Sequence, residues 1–416
     1  MKVVRLHSLG HLRVHEEPLP VPGAGETLIR VQAVGVCGSD LHWFGEGGIG
    51  DAGLEQPLVL GHEFAGEIVS GARSGQRVAV DPAMACGQCG FCQQGNPNFC
   101  EHLRFAGHGR EDGALREWMA WPERLLHPLP DNLSQADGAM LEPLGVALHA
   151  VDLGKLRPGM SVGVYGCGPI GLLIVQLARL CGATRIIATD ILPHRLEMAR
   201  QMGAEAVVLA SQGSEIGEVL AEAGSHGVHV AFEAAGENQA VETAIETTRP
   251  GGRVVLVGIP ADDRTGFRAS AARRKGLTIK LCRRMKHTYP RAIDLVAKGR
   301  VDVRSLVTAS YPLEQVVGLQ AVGKRHLGLP HVTLRLAQRA GGRQGGEQRL
   351  DHHVVVGVER VAGDPESRSA EPRLRPGERG LPGVARSRSG CHGPGLLVTR
   401  RRRGEVIQRH AHHRPA

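Results

Sequence analysis

Cys86, Cys89, Cys92 and Cys100 form a C-x2-C-x2-C-x7-C run. Four thiolates this close in sequence can fold a loop around one tetrahedral Zn²⁺, and Gly87, Gly90 and Gly95 permit the tight turns such a loop needs. With all four positions filled by thiolates, no place remains for water or substrate, so an ion held here would be structural. Four independent buried cysteines and an iron–sulfur cluster are the competing readings of the same spacing.

A second pattern, Gly166-Cys167-Gly168-Pro169-Ile170-Gly171, follows an apolar run and opens a helical one. Glycines at these places let backbone approach a pyrophosphate, which the helix N-terminus then stabilises. Asp190 closes the next apolar run, where a carboxylate can accept from a ribose 2′-hydroxyl and repel a 2′-phosphate. NAD is therefore favoured over NADP, with Arg195 nearby as the one residue able to accommodate the phosphate. A glycine-tight turn with no ligand is the bland alternative. The third pattern is dispersed: Cys37-Gly38-Ser39-Asp40-Leu41-His42, then Gly61-His62-Glu63, then Glu142-Pro143. Each His or Cys alone is more often structural, but a thiolate, an imidazole and a carboxylate together can hold Zn²⁺ with an open position, as a Lewis acid requires.

The elements that would position these residues fall into two halves. Residues 1–145 read as short strands between Gly and Pro, among them Thr27–Val36, Glu67–Val69 and Arg77–Val80, with a loop over Gly45–Gly53. From about Leu144 the rhythm becomes βαβ. Strands are expected at Ser161–Tyr165, Arg185–Thr189, Ala206–Leu209, Val228–Phe232 and Val254–Val257, and helices at Pro169–Cys181, Pro193–Met202 and Asn238–Thr247. A further helix is expected over Tyr289–Lys298, and a helix and strand ending near Leu336. The fold class expected is α/β: a mainly-β domain over 1–145, a Rossmann doubly wound parallel sheet over 146–283, and a stretch of mixed character over 284–336.

The 416 residues exceed what one core organises, which agrees with two domains. A hydrophobic fraction of 42% with 22% charged residues is ordinary for a globular chain, and no run of 18 apolar residues offers a membrane span. Met1–Gly10 lacks the apolar segment of a secretory signal, so a cytoplasmic location is expected. The net charge of +8 would point to nucleic acid if it were spread evenly. It is not: residues 341–416 carry 15 Arg, no Lys and 8 acidic residues. Residues 337–416 are an Arg-, Gly-, Pro- and His-rich low-complexity tail, and no aromatic residue follows Tyr311, so disorder is expected there. The same composition is what GC-rich DNA translated out of frame would give.

With these patterns in order, the chain resembles the zinc-containing medium-chain alcohol dehydrogenases and, within them, the sorbitol (L-iditol) 2-dehydrogenase or polyol dehydrogenase group. The resemblance rests on GVCGSDLH, PLVLGHEFAGEI, CGQCGFCQQGNPNFC, MLEPLGVALHA, GCGPIGLLIVQLA and RRMKHTYPRAI, and covers residues 1–336. It implies that the first domain is GroES-like and completed by residues 284–336, and that each subunit holds two zinc ions: a catalytic one on Cys37, His62 and Glu63, and a structural one on Cys86, Cys89, Cys92 and Cys100. Ser39 and His42 would relay the alcohol proton, and Glu142 would meet substrate or transiently the metal. Gly166, Gly168, Ile170, Gly171, Asp190, Arg195, Val257, Gly258 and Ile259 match cofactor contacts. Trp43 matches a substrate position, standing where animal sorbitol dehydrogenases have Tyr, and Arg284 a position that binds polyol or cofactor; Met285 beside it replaces a Tyr.

The activity implied is hydride transfer from a secondary alcohol of a sorbitol-, L-iditol- or xylitol-like polyol to NAD⁺ by a homo-oligomer, tetramer or dimer. L-threonine 3-dehydrogenase, 2,3-butanediol dehydrogenase and L-idonate 5-dehydrogenase share the scaffold and are the alternatives. A basic nucleic-acid-binding protein is the reading from another class, disfavoured by the complete zinc and nucleotide sets. The helix before Leu336 is expected to be weakened by Gly318 and Gly323, at roughly 1 kcal/mol each.

Overall fold

The computed structural model describes residues 1–211, 214–224, 226–308 and 311–317, with the backbone of Val332–Arg335. The longest strand, Glu26–Val36, buries every second residue from Thr27 to Ala33, the period-2 pattern of a strand with one face in a core. Val34 and Gly35 are buried as well, so the end of the strand nearest Cys37 is covered on both faces. Glu63–Ile68 pairs antiparallel with one edge of this strand. Trp118–Pro122 pairs with the first half of the other edge, and Val332–Arg335 with its second half, from Ala33 to Val36. Arg77–Val80 and Leu126–Pro128 extend the sheet beyond Glu63–Ile68. Its core holds Ile29, Phe64, Trp121 and Met119, with the Phe64 and Trp121 rings packed edge to face.

The second sheet is wholly parallel, in the spatial order Ala206–Leu209, Arg185–Asp190, Ser161–Tyr165, Val228–Glu233, Thr248–Leu256, Thr278–Leu281. The chain order reverses between Ser161–Tyr165 and Val228–Glu233, and ligands bind at such a switch point beyond the carboxyl ends of the strands. Helices Pro169–Leu180 and Asn238–Thr247 cover the sheet, their apolar residues in the clusters that pack on it.

Helix Leu141–Gly154 joins the two halves. Leu141, Leu144, Ala147, Leu148 and Val151 lie in one cluster with Ala65 and Ala79 of the antiparallel sheet and Val162 and Val164 of the parallel one. Gly154 abuts the Phe232 ring, where an added Cβ would come within 2.6 Å of Cζ. The fold class read from the sequence, a GroES-like domain joined to a Rossmann sheet, agrees with this topology. Boundaries differ locally. The loop expected over Gly45–Gly53 is taken at its start by helix Gly38–Glu46, ended by Gly47 at φ +80°, and Gly48–Ile49 pairs with Ala52–Gly53 in a short hairpin. The strand expected at Glu67–Val69 starts earlier, at Glu63. Leu313–Val317 forms a 3-10 turn, and Gly318, Gly323 and the tail expected to be disordered over 337–416 lie outside the described residues.

Candidate active site

Cys37, His62 and Glu63 come together although 24 residues separate Cys37 from the adjacent pair His62 and Glu63. Cys37 ends the long strand and caps helix Gly38–Glu46. His62 and Glu63 open the neighbouring strand, in which Glu63 stands directly across from Gly35. One ligand atom from each of the three lies within 4.8 Å of the others. Gly35 is required by this geometry, because a Cβ there would overlap the Glu63 carboxylate. Asp40, 3% exposed, ties both segments: Oδ2 accepts from Cys37 N at 2.9 Å, Oδ1 accepts from Gly61 N at 3.1 Å, and Oδ1 lies 3.5 Å from His62 Nδ1. Burial and the Glu63 charge push the Cys37 thiol up. Burial works against the His62 imidazolium, but Asp40 and Cys37 overcome it and hold its pKa well above the usual value. A divalent cation among the three would reverse these costs, favouring thiolate and neutral imidazole. A soft sulfur, a borderline nitrogen and a hard oxygen, converging in a buried place, suit Zn²⁺.

Around this trio, Ser39 Oγ lies 3.4 Å from His62 Nε2. His42 Nδ1 meets Glu46 Oε2 at 2.9 Å, one helical turn on, and among the described residues no hydrogen bond links Ser39 to His42. Glu142, in the first turn of its helix, is 4% exposed, and burial pushes its carboxyl up to about 8; His62 and Arg284 oppose this, while Glu63 and Asp81 add to it. Arg284 places its guanidinium 4.2 Å over the Phe105 ring, whose centroid is 5.3 Å from that of His62. Burial, then Arg283, lowers the Arg284 pKa to about 10. Trp43 is buried in the antiparallel core and turns its indole N–H to His108 Nδ1 at 3.3 Å. Burial and Arg284 lower His108 to about 4, so it stays a neutral acceptor.

The four sulfurs of Cys86, Cys89, Cys92 and Cys100 likewise lie within 4.8 Å of one another. Gly87 and Gly95, at φ +76° and +75°, make the turns between them. Cys89 opens a single helical turn, Gly90–Gln93, and the 3-10 turn Pro97–Phe99 delivers Cys100. Backbone N–H groups of Cys92 and Glu101 draw the Cys89 thiol down to about 6, and those of Gln88 and Cys89 lower Cys86; burial and the other thiols push Cys92 up to about 12. Four thiolates so close repel one another unless a cation lies among them.

At the switch point, Gly166 (φ +101°) turns the chain out of Ser161–Tyr165, and Gly168 begins helix Pro169–Leu180. A side chain on Gly171 would strike the Gly166 carbonyl. Asp190 Oδ2 accepts from Cys167 N at 2.8 Å, its Oδ1 accepts from Leu192 N at 2.9 Å, and Arg195 Nη1 is 3.6 Å from Oδ2. Ile170 lies in the first turn of the glycine helix, and Ile259 follows Thr248–Leu256 by three residues. Glu233, missed in the sequence, closes the crevice at the switch point: Oε1 accepts from Ala235 N at 2.8 Å and Gly236 N at 2.6 Å, while its carbonyl accepts from Val257 N at 2.8 Å and Gly258 N at 3.2 Å. Asp40, Gly35 and Phe105 were missed too; the E-x-x-G of Glu233–Gly236 gave no signal, whereas Asp40, three residues past Cys37, could have been found as a helix-capping acid.

A family model described as alcohol dehydrogenase GroES-like domain matches residues 23–131, and one described as zinc-binding dehydrogenase matches 169–298. A sorbitol dehydrogenase of Bacillus subtilis is 36% identical over 321 residues, 76% of this chain and 91% of that protein. An L-idonate 5-dehydrogenase of Vitis vinifera is 34% identical, over 73% of this chain and 86% of its own. A solved Escherichia coli structure, described as a short chain alcohol dehydrogenase complexed with cofactor NADH, is 30% identical and superposes with a TM-score of 0.74, covering 81% of this chain and 99% of that one.

Proposed function

The chain belongs to the zinc-dependent medium-chain alcohol dehydrogenase family, and from that premise we propose that it moves a hydride from a secondary hydroxyl of a sorbitol-, L-iditol- or xylitol-like polyol to NAD⁺. The observation that carries the reading is the convergence of Cys37, His62 and Glu63 beside two further polar groups, the buried Glu142 and the partly buried Arg284. Zinc on that trio would polarise the alcohol oxygen, and NAD would take the hydride. Cys86, Cys89, Cys92 and Cys100 would hold a second, structural zinc.

In this reading Ser39 Oγ, beside His62, takes the alcohol proton. His42, joined to Glu46, stands on the exposed side of the same helix and carries the proton on to solvent. Glu142 and Arg284 fix the neighbouring hydroxyls of the polyol, which selects vicinal diols. Trp43, buried with its N–H on His108, shapes the pocket from behind. Gly166, Gly168, Ile170 and Gly171 take the pyrophosphate side of NAD, Asp190 and Arg195 the ribose, and Val257, Gly258 and Ile259 the nicotinamide side. The domain division proposed is 1–145 completed by 284–336, 146–283, and the tail 337–416.

One observation favours a second reading, a sugar acid such as L-idonate: the partly buried Arg284 guanidinium would pair with a substrate carboxylate. Sorbitol, xylitol, L-idonate, L-threonine and 2,3-butanediol, each assayed with NAD and NADP, separate the readings. The polyol reading expects the highest kcat/KM with sorbitol or xylitol and NAD; L-threonine or butanediol at the top would overturn it. We propose further that the enzyme is a cytoplasmic homo-oligomer, dimer or tetramer, with no nucleic-acid or membrane partner. Among the described residues no helix is long and apolar enough to cross a membrane.

A further inference from the structure

Arg284 sits at φ +53°, a conformation that costs a non-glycine residue energy and persists only where the surroundings impose it. The surroundings here come from the four-cysteine lobe. Asn98, 3% exposed on the 3-10 turn between Cys92 and Cys100, donates from Nδ2 to the Arg283 carbonyl at 3.2 Å. Arg283 Nε returns a bond to the Asn98 carbonyl at 3.1 Å. Two residues away Lys286 Nζ donates to Asn96 Oδ1 at 2.7 Å. The Arg284 side chain then lies over Phe105, five residues beyond the last cysteine. Backbone and guanidinium are thus both held by the lobe or the chain leaving it, from about 185 residues away in sequence.

We propose that the four-cysteine lobe is a positioning element for substrate: Asn98 and Asn96 hold the Arg283–Lys286 segment so that Arg284 presents its guanidinium to the polyol. A metal held by the four cysteines would then bear on substrate binding only through these two asparagines, without touching the substrate. This rests on the reading above that Arg284 meets the polyol. A lobe that served stability alone would need no bond to this segment; here the bonded residues, Arg283 and Lys286, stand on either side of Arg284, one of two non-glycine residues of this stretch at positive φ, the other being His287 at +50°.

The test is steady-state kinetics with sorbitol on the full-length enzyme carrying Asn98→Ala, Arg284→Ala or both. Melting temperature, total zinc and NADH fluorescence titration are read on the same samples. Asn98→Ala is expected to raise KM for sorbitol about ten-fold with kcat changed by less than about two-fold, while zinc content and NADH affinity hold. Arg284→Ala raises KM further, and the double variant matches Arg284→Ala alone, since a misplaced guanidinium no longer matters once it is gone. Sorbitol KM unchanged in Asn98→Ala, or the two effects multiplying in the double variant, overturns the positioning role while leaving Arg284 as a substrate residue. Arg284→Ala at parental KM removes the substrate reading of Arg284 itself. If Asn98→Ala does not fold, Lys286→Met breaks the Asn96 contact and reads the same KM.

Discussion

At the scale of single residues, the site depends on atoms that are missing as much as on those present. Gly35 faces Glu63 across two paired strands, and its hydrogen leaves the room that the carboxylate occupies. Gly35→Ala is expected to cut zinc from two to about one per chain and to lower polyol turnover at least about 100-fold, with the cysteine-lobe zinc retained; metal analysis alongside kinetics reads both. A titrating residue away from the metal sites gives a second expectation. His127 stacks on Tyr289 with ring centroids 4.5 Å apart and planes 3° from parallel, and burial, aided by Arg73, lowers its pKa to about 4. The folded state therefore prefers the neutral ring, whereas the unfolded chain protonates near 6.5. The stability so contributed is complete above pH 6.5 and is lost as pH falls from there toward 4. His127→Phe keeps the stack and cannot titrate, so between pH 7 and pH 5 it should lose about 2 kcal/mol less than the parent in urea unfolding.

At the scale of elements, what could be read from the sequence was whatever is local. The four cysteines span 15 residues, and the glycine turn lies between a strand and the helix it opens, so both announce themselves by spacing. The parallel sheet followed from the βαβ rhythm. What escaped depends on pairing between distant segments. Gly35 matters only in the register that sets it opposite Glu63, Phe105 only because Arg284 arrives over it, and Asn98 only because Arg283 does. Ser39 and His42 turn to different partners, His62 and Glu46, so the relay expected between them needs the cofactor ribose as its bridge. Glu233 is another such residue, joining the loops after two adjacent strands through one carboxylate and one carbonyl. Glu233→Ala should weaken NADH binding about ten-fold by fluorescence titration, with zinc content unchanged and Glu233→Gln between the two; an unchanged affinity would show that the loops hold their shape without it.

At the scale of the whole molecule, the charge and the chemistry lie in different places. Residues 341–416 carry most of the +8, while every side chain in the candidate site precedes residue 286. A chain ending after Leu336 should keep its melting temperature and its kcat/KM for sorbitol within about two-fold. One ending after Val317 loses the strand Val332–Arg335 and should melt several degrees lower, by differential scanning calorimetry, with weaker zinc retention. That strand lies against Ala33–Val36, immediately before Cys37, and roughly 300 residues of chain separate the partners. At about 5–20 residues per second of synthesis, the ribosome reaches Val332 roughly 15 to 60 s after Val36. The parallel sheet, complete by Leu281, has all its strands earlier. The cysteine that opens the candidate trio is thus among the first residues made, and it waits on the last described ones for its strand to be bordered along its full length.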